Sequence, residues 1–308
     1  MPDTEITFTA VEWKQARAED AATWVSVSRQ SNDQVLFESE ASQLARYQEE
    51  GPDQQAQRYL LWCGETAVGR LRFFSRGQTA ELDGLVLLPD THHEIIKQVA
   101  EESINRANSL NVRHLKATYP AAYIAPFASS GFQELRKRTS MLASTKVTVA
   151  PIELPSSVRI RAIGHEDTER LGTLLQRAYA GGPDDTHPDL AGWRSEVRAI
   201  QEGQFGPFIP ESCFVVENAQ DPHQLAGAIL VHLERGVPRI HHMAVAPLFR
   251  HIRLGQLLAV RSMQRLNELS YPQVVLNVTL GIPAVGLYRR LGFSEFGPTY
   301  IEAERKLR

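Results

Sequence analysis

Apolar and polar positions change period several times along the second half of the chain. CFVVE at 213–217 is an apolar run, and the turn-rich NAQDPH follows it. AGAILVHLE (226–234), the turn RGVP and RIHHMAV (239–245) complete a predicted antiparallel meander. From Leu254 to Leu269 the period becomes helical. Leu254, Leu257, Leu258, Leu266 and Leu269 share one broad face, which Arg261 interrupts. VVLNV (274–278) predicts a short buried strand, so the helix before it is a right-handed crossover between parallel strands. A last helix starts near Pro283 and stops at Gly292, residues suited to a first helical turn and a C-terminal cap. A final strand is expected after Phe293.

The first half repeats this plan. YLLWC (59–63), GRLRFF (69–74) and ELDGLVLLP (81–89) predict a meander. Glu94 to Leu110 reads as a helix, HLKAT (114–118) as a strand, and a helix-like stretch closes at Gly131-Phe132. Pro89 lies 42 positions before Gly131, and Pro247 lies 45 before Gly292. The three missing residues fall just after the proline, where the second half carries LFRHIRLG. STKVTVAPIELPSSV (144–158) reads as an extended seam, because its prolines lack a donor N–H and restrict their neighbours. The expected domains are therefore 1–150 and 151–308.

Length agrees with that division, since 308 residues suit two domains of about 150. No apolar run approaches the roughly 20 residues of a membrane span. Net charge is −3, and Lys and Arg do not cluster with aromatics, so neither membrane nor nucleic acid is an expected partner. Cys63 and Cys213 stand 150 positions apart, which excludes a CxxC site and a disulfide scaffold. Both sit in apolar strands and read as buried, inert thiols. A reducing cytoplasm is expected, and the acidic start MPDTEITFTA lacks the layout of a signal peptide. His92-His93-Glu94 suggests a metal site only by composition. Adjacent helical residues diverge by about 100°, and no second pair has ligand spacing, so no metal is expected. GxSxG, HExxH and GxGxxG are all absent from the sequence.

The segment VAPLFRHIRLGQLL (245–258) carries the chemistry. A strand ends at a proline, a short basic loop follows, and a helix begins at about Leu254. Unpaired amides and the positive dipole end at a helix N-terminus suit an anion. Arg250, His251 and Arg253 add positive charge, and Gly255 lets the backbone approach a ligand. These features suit a pyrophosphate; a solvated loop with two chance arginines accounts for the same residues.

VAPLFRHIRLG (245–255), a helix, a short strand and AVGLYRRLGF (284–293) together resemble the GNAT superfamily of N-acetyltransferases, over about 213–296. VRIRAIGHEDTERLGTLL (158–175) is similar to the family's opening strand and first helix. The resemblance implies an α/β fold of two tandem GNAT-fold units. Each would be a mixed, mostly antiparallel sheet with a splayed parallel strand pair flanked by helices. It implies acetyl-CoA as co-substrate, bound between splayed strands 239–245 and 274–278. Amides of Met243, Ala244 and Val245 would pair with the pantetheine arm. Those of Arg250, His251, Ile252, Arg253, Leu254, Gly255 and Gln256 would hold the pyrophosphate. Tyr288 matches the family tyrosine that protonates the leaving thiolate.

Family members often place a base on the strand before the loop, where His241 and His242 lie. Alternation sends the two to opposite faces, and His241, four residues before Val245, has the favoured parity. Glu234 and Tyr300 are weaker candidates. Two positions depart from the family pattern: Arg253 replaces a loop glycine, and Gly281 and Ile282 stand where asparagine is common. The expected function is acylation of an amine on a small molecule or peptide by the second copy; the oligomeric state stays open, with a homodimer as one alternative. The first copy continues from Pro89 into DTHHE, lacks the phosphate loop and is expected to bind no CoA. Segment 181–210 reads as irregular and would set acceptor specificity. A different class stays open: a non-catalytic acyl-CoA-binding or interaction protein with an eroded site.

Overall fold

The computed structural model describes residues 10–30, 38–89, 91, 93–148, 152–153 and 155–307. The chain divides into two compact units, Met1–Arg138 with Gly297–Arg308, and Thr139–Phe296.

Unit 1 begins with β1 (Val11–Gln15), α1 (Ala21–Gln30), α2 (Glu40–Glu49) and the single turn α3 (Pro52–Gln55). Ser39 starts α2 by accepting a hydrogen bond from the Ser42 amide, the usual service of a serine N-cap. A meander follows, β2 (Arg58–Cys63), β3 (Thr66–Arg76) and β4 (Thr79–Leu87), then α4 (His93–Ser109), β5 (His114–Pro120) and α5 (Ile124–Ser129). Strands run in the order β1-β2-β3-β4-β5, antiparallel except for β4 and β5. Next comes β6 (Gln133–Ser144).

Unit 2 holds β7 (Val158–Ala162), α6 (Thr168–Tyr179), α7 (Leu190–Gln201), β8 (Phe214–Asn218), β9 (Asp221–Glu234) and β10 (Val237–Val245). These precede α8 (Leu254–Glu268), β11 (Gln273–Thr279), α9 (Ala284–Arg290) and β12 (Ser294–Lys306). Here the order is β7-β8-β9-β10-β11-β6, with β10 and β11 parallel. The α8 stripe is as expected at Leu254, Leu257, Leu258 and Leu266. Arg261 turns to solvent, and Ala259, Val260 and Met263 complete the buried face.

The division at 150 needs correction, because the compact units are not contiguous halves. From Thr139 onward β6 belongs to unit 2, and from Gly297 onward β12 belongs to unit 1. Burial explains the exchange. Met141 and Ala143 of β6 join Leu258, Leu276 and Phe293 in one core, while Ile301 and Ala303 of β12 join Leu82, Leu115 and Phe127 in the other. Polar contacts fix each strand in place. The Ser140 hydroxyl donates to Asn277 Oδ1 at 2.7 Å, and the Thr145 amide to the Pro272 carbonyl at 3.0 Å. β12 pairs antiparallel with β5 from Tyr300 opposite Pro120 to Lys306 opposite His114, and Arg136 Nε donates to Glu302 at 2.6 Å.

Cys213 is buried as expected. Burial pushes its thiol up to about 12, and its sulfur accepts the Val231 amide at 3.1 Å. Cys63 is only half-buried, a departure from the expectation, and burial raises its thiol too. Among the described residues no helix is long and apolar enough to cross a membrane. His92 lies outside the described residues.

Candidate functional site

The site begins where two parallel strands part. β10 and β11 are in register only at Arg239 with Val275 and Ile240 with Leu276, although β10 runs on to Val245 and β11 to Thr279. Among the described residues no β10–β11 pair follows Ile240. A cavity of about 720 Å³ opens there, walled by the end of β10, the loop before α8, the start of α9, the end of α6 and the 180–184 segment that follows it. Of the ten residues expected to bind CoA, all but Ile252 line it.

Loop 246–253 is shaped by its backbone. A 3-10 turn at Pro247–Phe249 follows β10, and His251 and Arg253 then take left-handed conformations, φ 68° and 63°. Arg253 is the N-cap of α8, and its own side chain makes no capping hydrogen bond. The first turn of α8, Leu254 to Gln256, lies on the wall of the cavity, where helix amides point outward without an intrahelical partner. Arg250 donates to the Ala178 carbonyl at 2.8 Å, which ties the loop to the end of α6 and leaves further guanidinium donors. A Cβ on Gly255 would lie 3.3 Å from Leu287 Cδ2, so glycine lets α8 start close against α9.

The equivalent connection in unit 1 is shorter. Five residues separate β4 from α4 where eight separate β10 from α8. That is the three-residue difference read from the proline–glycine spacing.

Tyr288 is buried in the core of unit 2, edge-on to Phe293 with ring centroids 5.5 Å apart. Ala284 and Leu287 of the same helix line the cavity; Tyr288 is not among the lining residues. Burial, with a smaller contribution from the Asp184 charge, holds its phenol well above the ordinary value of 10.0 and keeps it protonated. Asp184 lines the cavity and accepts from the Thr279 hydroxyl at 2.6 Å.

His241 and His242 do not obey strict alternation. The β9–β10 register passes from Ile240 opposite Val231 to His242 opposite Leu230, so His241 is the extra residue of a bulge. The bulge resets the parity, and both imidazoles reach one carboxylate. His241 Nε2 lies 3.5 Å from Glu196 Oε1, and His242 Nε2 lies 3.5 Å from Glu196 Oε2. His187 Nε2 approaches the same carboxylate at 2.8 Å. Burial alone would raise the Glu196 carboxyl, but the imidazoles around it hold it far below the carboxylate range. Burial lowers His241 despite Glu196, and it lowers His232, 3.3 Å from His241, to about 4. Glu234 is drawn instead into an ion pair with Arg239.

Glu196 and His187 were not found from the sequence, which gave 181–210 as irregular. Residues 190–201 are the helix α7. Asp189 caps it by accepting from the Gly192 amide at 2.9 Å, and Trp193, Val197 and Ile200 form its buried face. That cap and the i, i+4, i+7 apolar spacing were the available signal.

Residues 203–306 match the family described as Acetyltransferase (GNAT) domain. Among solved structures, a GCN5-related N-acetyltransferase from Sphaerobacter thermophilus superposes with a TM-score of 0.72 at 16% identity, covering 100% of this chain and 97% of that one. A tandem GNAT protein from the clavulanic acid biosynthesis pathway gives 0.65 at 14% identity, covering 96% and 98%. The chain has the tandem GNAT fold. No curated protein matches it in sequence. A GNAT domain supports acyl transfer as the general chemistry, and in this chain the matched residues contain the bulge, the basic loop and α9.

Proposed function

We propose that unit 2 transfers the acetyl group of acetyl-CoA to an amine on a small molecule or peptide, by direct attack. The carrying observation is the cavity at the parting of β10 and β11, whose wall combines the N-terminus of α8 with Arg250 and Arg253. Its volume suits a small-molecule site. In this reading Met243 to Val245 offer backbone groups to the pantetheine arm. The amides and arginines of 250–256 hold the pyrophosphate, Ile252 by its backbone alone. His241 takes a proton from the amine as its nitrogen bonds the acyl carbon. Tyr288 supplies a proton as the carbon–sulfur bond breaks. Unit 1, with its shorter loop, binds no CoA. Two free cysteines fit a reducing, cytoplasmic setting.

Placement of Tyr288 in the core favours a second reading, a non-catalytic acyl-CoA-binding protein. Calorimetric titration with acetyl-CoA, followed by thiol release over a panel of amines, separates the two. Binding at one site per chain with turnover is expected; binding without turnover on any amine selects the second. Arg250→Ala with Arg253→Ala should weaken binding at least about tenfold, since each charge-assisted hydrogen bond contributes roughly 1.5–3 kcal/mol. An unchanged dissociation constant would move the phosphate site elsewhere.

A further inference from the structure

The bulge on β10 gathers more nitrogen donors than one proton transfer needs. Glu196 comes from α7, His241 and His242 from β10, and one donor atom from each lies within 4.8 Å of the others. The two N···O separations of 3.5 Å are long for charge-assisted hydrogen bonds, which run at about 2.7–2.9 Å. His242 Nε2 is buried, and its approach to Glu196 makes no hydrogen bond.

The remaining atoms of the cluster are oriented by neighbours. His241 Nδ1 faces His232 Nδ1 at 3.3 Å, and His242 Nδ1 faces the Tyr179 hydroxyl at 3.4 Å. Each imidazole is thus steadied through one nitrogen and turns the other toward Glu196. His187 holds the carboxylate at 2.8 Å. Outer partners of this kind set the tautomer and direction of histidines that ligate metals. The side chains of His241, His242 and Glu196 are 17%, 12% and 18% exposed, which leaves an ion a route in.

We propose that Glu196, His241 and His242 bind a divalent transition-metal ion of the zinc class, with a fourth position open to water. Two imidazoles and a carboxylate select such an ion over magnesium or calcium. The sequence expectation of no metal rested on linear spacing. The bulge makes neighbours of residues whose spacing, 196 with 241 and 242, has no motif. Occupancy has a consequence for the proposed chemistry: an ion on His241 Nε2 takes the lone pair that would accept the amine proton.

The test uses the full chain, stripped with a chelator and dialysed. Zn²⁺ is titrated against a chromophoric chelator, and Co²⁺ is followed by its visible ligand-field bands. One Zn²⁺ per chain is expected, with micromolar or tighter affinity and the intense bands of low-coordinate cobalt. His241→Ala and His242→Ala should each weaken Zn²⁺ at least tenfold. Glu196→Gln keeps the side-chain shape and loses the anionic ligand, so it should weaken Zn²⁺ similarly while melting as a folded protein. Absence of stoichiometric Zn²⁺ binding, or equal affinity in the wild type and all three variants, would overturn the proposal. The readout needs no acyl donor, so its failure leaves the acyl-transfer reading untouched.

Discussion

Arg253 holds a backbone conformation that glycine adopts without strain. The sequence marks the position as a departure from the family's loop, and the structure shows that the left-handed turn survives it. The conformation costs roughly 1–2 kcal/mol for a residue with a Cβ, and Arg253 lines the cavity. Tyr288 is the reverse case: its motif is intact, but the core encloses its ring. Tyr288→Phe tests which matters. Loss of one oxygen should leave the melting temperature nearly unchanged and acetyl-CoA affinity unaltered, while turnover on a fixed acceptor falls by about 10²-fold or more. Equal turnover would leave Tyr288 a packing residue. Glu196 could not be read from residue identity, because one carboxylate on a helix becomes informative only when distant histidines face it.

The meanders, the crossover helices and the three-residue difference between loops were legible at the scale of elements, because each rests on a period or a count. The bulge was not, because it leaves no period behind, and one extra residue overrides the parity argument for His241. Helix α6 shows how polar fastening enters below the level of pattern. Asp167 at its start is buried and receives Arg161 of β7 through two bonds of 2.7 Å. Arg170 of α6 and the Gly164 amide also donate to it, and Arg161 and Arg170 both pair with Glu217 of β8. Burial alone would raise the Asp167 carboxyl, yet these donors hold it below its ordinary value of 3.8. Its ion-pair stabilisation is therefore complete above that value and is lost as pH falls through the lower, folded one. Asp167→Asn should destabilise the protein by about 3 kcal/mol or more at pH 7. In denaturant titrations the gap between variant and wild type should narrow toward pH 3 and below. A gap independent of pH would mean that the loss is steric.

Two copies of one unit are visible in the whole sequence, but the exchange of their last strands is not. The pattern of β6 and β12 says that each needs a sheet and does not say which. Residues 1–150 alone carry β5 without the strand that covers its edge, and they lack Ile301 and Ala303. Loss of one buried large aliphatic side chain typically costs about 2–5 kcal/mol. This fragment should show no cooperative unfolding transition, while the same fragment with residues 297–308 appended through a linker should recover one. A cooperative melt of 1–150 at the temperature of the full chain would refute that dependence. The exchange also inverts the order of assembly during synthesis. At about 5–20 residues per second, a ribosome that has finished β6 takes on the order of 10–30 s more to deliver β12. For that interval the edge of β5 stays open, and it closes only when β12 emerges.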